Sequence, residues 1–441
     1  ASANLSFAGS ASSNRTENKT YGEIIGSDIT GSSSDVNVNA INKSDIQSLS
    51  GSAAISTGFG GVGIAVSAND IDDTTTAHVS GKKTSGYTVE DMQVAAASDA
   101  TIKALSIGAA GAGTIAAAGS FGVSLIGSNT SAYIDDGAVV LAQHNVGVTA
   151  ESDDAITVIS GSAGISFGAG GVGVGFNANL ITSNTKAYIS GANTSVTGLA
   201  NGADMAVYNG ELKAGVNLEN QVNTLKFSAL DLKNNKATES MSGVAVNASS
   251  SQQIENITGT IGASSGIGAG VAASVNSIGG TTQAYVLDAL INDNNQGAGS
   301  DQKVAVTASN IAYDNSFIVA VGIGANAGGL GIDTHAMNRS TTALVTGASI
   351  VANDTVAVKA ESTQGISSLA AGGAAGGNAG AGTLSLALFE NTTEALISGT
   401  AVTASGLEIK AKNTNDMFLM AGAVSIGGNA GGGAFAVGSS D

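Results

Sequence analysis

The sequence predicts an all-β chain, a β-solenoid of about seven degenerate repeats of about 55 residues each, Gly-rich and without a helical domain. Three observations predict it: self-similarity at a fixed interval, apolar residues alternating with a period of two, and the complete absence of proline.

The self-similarity rests on two landmarks. The segments TTTAHVSG, NTSAYIDD, NTKAYISG, TTQAYVLD, STTALVTG and TTEALISG place Ala77, Ala132, Ala187, Ala284, Ala343 and Ala395 at one equivalent position, at intervals of 55, 55, 97, 59 and 52. Gly22, in the degenerate copy KTYGEIIG, lies a further 55 residues upstream. An apolar-x-apolar-x-Ala strand follows each copy and ends on Ala40, Ala96, Ala150, Ala248, Ala308, Ala360 or Ala411.

The alternation gives the strands. Val172, Val174 and Phe176 alternate with glycine and asparagine, and the same pattern recurs at Val62, Ile64 and Val66, at Phe121, Val123 and Leu125, and at Leu384, Leu386 and Leu388. A period of two is the signature of strands with two distinct faces, and no helical period is sustained. Gly, Asn, Asp and Ser separate the strands, as turns select. Read as four short strands and two coils per repeat, the chain of 441 residues makes about 16 coils and a rod of about 75 Å at the interstrand spacing.

Proline usage supports the same fold. Average composition predicts roughly 22 prolines in a chain of this length, and there are none. Proline cannot donate to a ladder, so its exclusion suits strands with neighbours on both sides. The array is continuous over 1–441 with one break, at 192–243, where the interval stretches to 97 residues. That segment holds Lys213, Lys226, Lys233 and Lys236 and lacks the glycine-rich arm. It is expected to be an irregular insertion, either an extra or widened coil or a projecting hairpin.

Composition excludes several functions. A formal charge of −18 with few clustered bases argues against a nucleic-acid partner. With no cysteine there are no disulfides, thiolate nucleophiles or thiolate metal sites. The most apolar stretches, such as 318–332, are too short and too glycine-rich for a membrane-spanning helix.

The repeat TAYISG, VTVTAES and ISGSAGISFGAGGVGVGFNANLITSNT resembles those of very large bacterial secreted surface proteins: leukotoxin-type filamentous adhesins and autotransporter or two-partner-secreted β-helix exoproteins. The resemblance implies an extracellular, cell-surface stalk or fibre that presents adhesive regions. A polymerising filament or surface-layer subunit, and a β-helical carbohydrate-active enzyme, stand as alternatives.

No catalytic or cofactor site is expected. GFGGVG at 58–63 and GAGGVG at 168–173 match a dinucleotide fingerprint but lack a following helix. GGLGIDTH at 328–335 begins like a calcium-binding nonapeptide yet occurs once. Acidic turns at Asp70, Asp72 and Asp73, at Asp135 and Asp136, and at Asp293 with Asp301 offer oxygen ligands for Ca2+, although solvated turns account for them better, since a site needs six or more converging oxygens. The local contexts of His78, His144 and His335 supply no repeated carboxylate or serine partner, and Asp153 and Asp154 point to opposite faces of a strand.

One surface stripe stands out. His78, Tyr133, Tyr188, Tyr285, Leu344 and Leu396, preceded by Glu23, directly follow the first landmark, and alternation turns them outward. Such a ladder suits contact with glycans on a host surface or with neighbouring fibres, and it equally suits plain stacking between coils. The ends fall inside repeats, so they are expected either to continue into further repeats of a parent chain or to stack end to end on other copies as a filament.

Overall fold

The structure, a computed structural model, describes residues 4–213 and 232–440. Each repeat makes one broad coil of two long strands and a short one. The first coil runs through β1 (Leu5–Ile25), β2 (Ile29–Gly31) and β3 (Val36–Ile55), and the second through β4 (Gly60–Ser80), β5 (Tyr87–Val89) and β6 (Met92–Ala112). The third is β7 (Ile115–Asp135), β8 (Val139–Ala142) and β9 (Val146–Ser166). The fourth comprises β10 (Gly170–Ser190), β11 (Ser195–Gly198), the excursion strand β12 (Met205–Leu212) and β13 (Lys236–Ala263). The fifth is β14 (Ile267–Leu287), β15 (Leu290–Ile291) and β16 (Gln302–Ile323). The sixth begins with β17 (Asn326–Thr346) and β18 (Ser349–Val351). β19 (Thr355–Ser398) ends the sixth coil and opens the seventh, which continues through β20 (Ala401–Thr403). β21 (Gly406–Ser440) closes the seventh and begins an eighth.

Equivalent strands stack in parallel. Sheet one contains β1, β4, β7, β10, β14, β17 and the later part of β19; sheet two contains β3, β6, β9, β13, β16 and its earlier part. The seven short strands form a third sheet that closes the wide end of each coil. The landmarks prove to be the register: Ala77, Ala132, Ala187, Ala284, Ala343 and Ala395 are successive ladder partners, as are Ala40, Ala96, Ala150, Ala248, Ala308, Ala360 and Ala411.

The expectation of two coils per repeat is corrected. Turn residues such as Ser120, Gly122 and Ser124 lie within single 21-residue strands, because a parallel ladder fixes the backbone of any residue with partners above and below. The stack therefore advances only about 34 Å, while each 21-residue strand extends about 70 Å. The result is a blade, broader than it is tall.

The blade is wedge-shaped in section, and inward side chains explain why. At the wide end Val79, Ile134, Ile189 and Val286 pack against the short strands through Val140, Val196 and Ile291. Midway, Ile71, Ile102, Ile126, Ile156, Ile181 and Ile254 form a second apolar layer. Between them run polar rungs of serine, threonine and asparagine. Asn179 donates to Asn276 at 2.8 Å in the coil above, and Asn177 donates across the interior to Asn256 at 2.7 Å. At the narrow tip the inward residues are mostly Ala and Gly, with small serines such as Ser56 and Ser166. A Cβ on Gly164 would collide with the Val172 carbonyl, and one on Gly262 with the Ala269 carbonyl.

The break in the repeat is no extra coil. β10 pairs directly with β14, and β9 pairs with β13 from Val244 onward, so the ladder runs past it uninterrupted. β12 instead pairs antiparallel with the beginning of β13, covering the outer surface of sheet two, where Leu232 packs on Ile311 and Tyr313. Lys236 fastens it by bonding Glu151 at 2.6 Å and Asp153 at 2.8 Å. Lys226, part of the basic set expected here, lies outside the described residues.

Candidate functional site

The outward stripe on sheet one forms a stack. His78 and Tyr133 have ring centroids 4.6 Å apart at 10°, Tyr133 and Tyr188 4.7 Å at 5°, and Tyr188 and Tyr285 4.7 Å at 3°. Leu344 and Leu396 continue the column, and Glu23 lies 3.7 Å from His78 at its other end. Parallel in-register strands hold equivalent side chains one coil apart, so like rings meet face to face. The stack uses the ring faces, leaving the ring edges and phenol oxygens to meet a partner. Burial beside the neighbouring rings pushes the Tyr188 phenol well above its ordinary value, so that phenol stays neutral.

Beside the ladder lies a shallow polar depression of about 370 Å3, lined by Asn129, Ser131, Asn184, Lys186, Thr281 and Gln283. Asn184 donates to Asn129 at 3.2 Å and accepts from the Thr281 hydroxyl at 3.1 Å. Amides and hydroxyls thus recur at the coil spacing. Replacing Tyr188 by Ala removes two ring contacts at about 0.5 to 1.5 kcal/mol each. The expected loss is about 1 to 3 kcal/mol in denaturant unfolding.

The other sequence candidates fall elsewhere. Asp70 and Asp72 face outward, where Asp70 pairs with Arg15 at 3.3 Å, while Asp73 faces the interior. They do not converge. Asp136 sits in a turn at φ 53°, and Asp293 accepts from Ser195 at 2.7 Å. Among the described residues no three carboxylates or histidines are grouped to hold a metal. The motifs at 58–63 and 168–173 lead round the narrow tip into β4 and β10.

GGLGIDTH lies within β17 and sends Asp333 and His335 into the interior. The fold supplies His335 with two carboxylates, one of them from the opposite sheet. His335 Nδ1 lies 2.7 Å from Asp314 of β16 on the opposite sheet, and Nε2 lies 2.9 Å from Asp333. The second contact sits off the N–H axis, so its attraction is Coulombic rather than a well-formed hydrogen bond. Ser316 and Ser368 donate to Asp333 at 3.0 and 2.5 Å, and Asn276 donates to Asp314 at 3.1 Å. Desolvation opposes charge on His335, but the two carboxylates outweigh it and hold the imidazolium well above the ordinary histidine range.

Two further charges are buried in ways that sequence reasoning did not show. Arg339 is fully buried and donates to the carbonyls of Ser183 at 3.0 Å and Gly279 at 2.6 Å, with burial lowering its pKa to about 10. Asp154 accepts from Ser128 at 2.7 Å and Ser152 at 3.1 Å, yet desolvation raises it to about 6. A folded-state pKa above the unfolded value contributes stability that is complete below about pH 4 and lost as pH rises through about 6. Asp154→Asn is therefore expected to gain about 2 to 3 kcal/mol at pH 7 and to flatten stability over that window, read by urea unfolding at several pH values.

All these groups are sealed in the core, and the side chains of Asp314, Asp333 and His335 have 0 % exposure. No substrate reaches them in the folded chain. No family model matches this sequence, and neither a curated protein nor a solved structure matches it.

Proposed function

We propose that this chain is a structural and adhesive module of an extracellular bacterial surface fibre, acting through extent, stiffness and a repeated surface rather than through catalysis. One observation carries the reading: an unbroken, in-register parallel ladder through seven complete coils, with β1 and β3 as edge strands at one end and β21 at the other. Edge strands present a row of unpaired donors and acceptors that further coils satisfy. Because the blade is only about half as tall as it is broad, a long fibre needs many such stacks, end to end. The extracellular bacterial setting rests on the resemblance of the repeats. The ladder and its polar trough supply the adhesive surface, with a host glycan as its ligand.

Electron microscopy of the purified protein tests the stacking. The expected result is filaments about 70 Å wide with a repeat near 4.8 Å along the axis. Discrete particles at every concentration, in a parent protein with no further coils, overturn it. Glycan-array binding that survives substitution of Lys186, Gln283 and Asn184 together overturns the adhesive assignment of the trough.

A further inference from the structure

We propose that the outer surface of sheet one near the narrow tip is a self-complementary face on which a second copy of this chain packs, sheet against sheet, with the two solenoid axes antiparallel. This is a lateral contact, independent of end-to-end stacking. The five outward columns nearest the tip, from that of Leu5 to that of Ser13, contain no charged residue in any coil. Apolar side chains stand exposed there: Phe7 at 73%, Ile267 at 56% and Phe435 at 68%. The face covers roughly 1,000 Å2 at ordinary strand spacings, above the roughly 800 Å2 per partner of a stable interface and beyond the apolar patch usual on a monomer.

One column carries the inference. Gly328, Gly380 and Gly431 are successive rungs, and they floor a shallow apolar trough of about 460 Å3. A Cβ on any of the three would touch nothing within 4 Å, and none has a left-handed φ. Glycine weakens a strand, so nothing among the described residues accounts for three in succession. Close approach of another backbone or side chain does.

The same column supplies the occupant. Its other rungs are Phe7, Val62, Ala117, Val172 and Ala269. A two-fold axis along the strands places the first coil opposite the eighth and the second opposite the seventh. It pairs Phe7 with Gly431, Val62 with Gly380, Ala117 with Gly328, and Val172 with Ala269. Large meets small at every rung, as in the interdigitated inner faces of packed sheets. In the neighbouring column two of the four pairs follow the same rule, Ile64 against Gly382 and Leu330 against Gly119, while Gly9 meets Gly433 and Val174 meets Val271. The outer surface of sheet two is also apolar near the tip, with Leu49, Ile165 and Ile426 exposed, but β12 stands on that same surface nearer the wide end. A lipid surface is fluid and has no ridge to match a trough.

Sedimentation equilibrium tests the proposal on the whole chain. The wild type is expected to dimerise at micromolar concentration, Gly380→Phe to raise the dissociation constant at least 100-fold, and Val62→Gly/Gly380→Phe to restore it. Circular dichroism checks that each variant is folded. The chain has no cysteine of its own, so Val62→Cys/Gly380→Cys is expected to give a disulfide-linked dimer on oxidation without any other crosslink. A wild type that stays monomeric overturns the proposal, and flotation of that monomer with phosphatidylcholine vesicles assigns the face to lipid. Dimers that tolerate Gly380→Phe, or no covalent dimer from the cysteine pair, overturn it as well.

Discussion

His335→Leu is expected to destabilise the chain by about 3 to 5 kcal/mol or more, the cost of leaving a buried charge without its partner. Asp314 and Asp333 approach the same imidazole from opposite sheets, both fully buried. Removing the cation leaves two carboxylates facing each other in the core, able only to take up protons. Asp333→Asn is expected to cost less, because Asp314 still faces the ring. Replacing all three by apolar residues of similar volume restores most of the loss, since no unpaired charge remains. Denaturant unfolding checks the order. A His335→Leu protein as stable as the wild type would show that the triad contributes nothing. The pH dependence has a definite sign: the raised His335 pKa gives stability that is full below the ordinary histidine range and lost as pH rises through the folded value.

The second large effect belongs to the tip. Gly262→Val is expected to cost about 3 kcal/mol or more, at or beyond the upper end of ordinary overpacking. The new Cβ meets the carbonyls of Ala269 and Gly171, backbone atoms held by ladders on both sides. Relief requires spreading the two sheets over several coils. Gly328→Ala is the contrast, because its Cβ meets open space. Stability there is unchanged or slightly raised, while the lateral dimer weakens. Thermal unfolding of both variants separates a glycine required within the fold from one required between copies.

The ladder explains why so much of the architecture was legible in the sequence. In a parallel stack the residue at one rung recurs at the next, so the alignment of Ala77 with Ala132 and Ala187 is itself the hydrogen-bond register. Period-two alternation likewise assigned Asp153 and Asp154 to opposite faces, and the aromatic stripe to the outside. These are local properties, set by the pleat and by repetition along the axis.

What only the tertiary structure decided lies across the interior, perpendicular to that repetition. Whether a glycine or serine bends the chain or continues a strand depends on partners above and below it, which is why 21-residue strands read as pairs of short ones and one coil read as two. Asp314 and His335 are 21 residues apart and share no motif, and they meet only because the tip turn folds β17 back over β16. Asp154, Arg339 and Lys236 are ordinary charges in the sequence. Their burial follows from which opposing strand lies against them, and periodicity along a single strand carries no record of that.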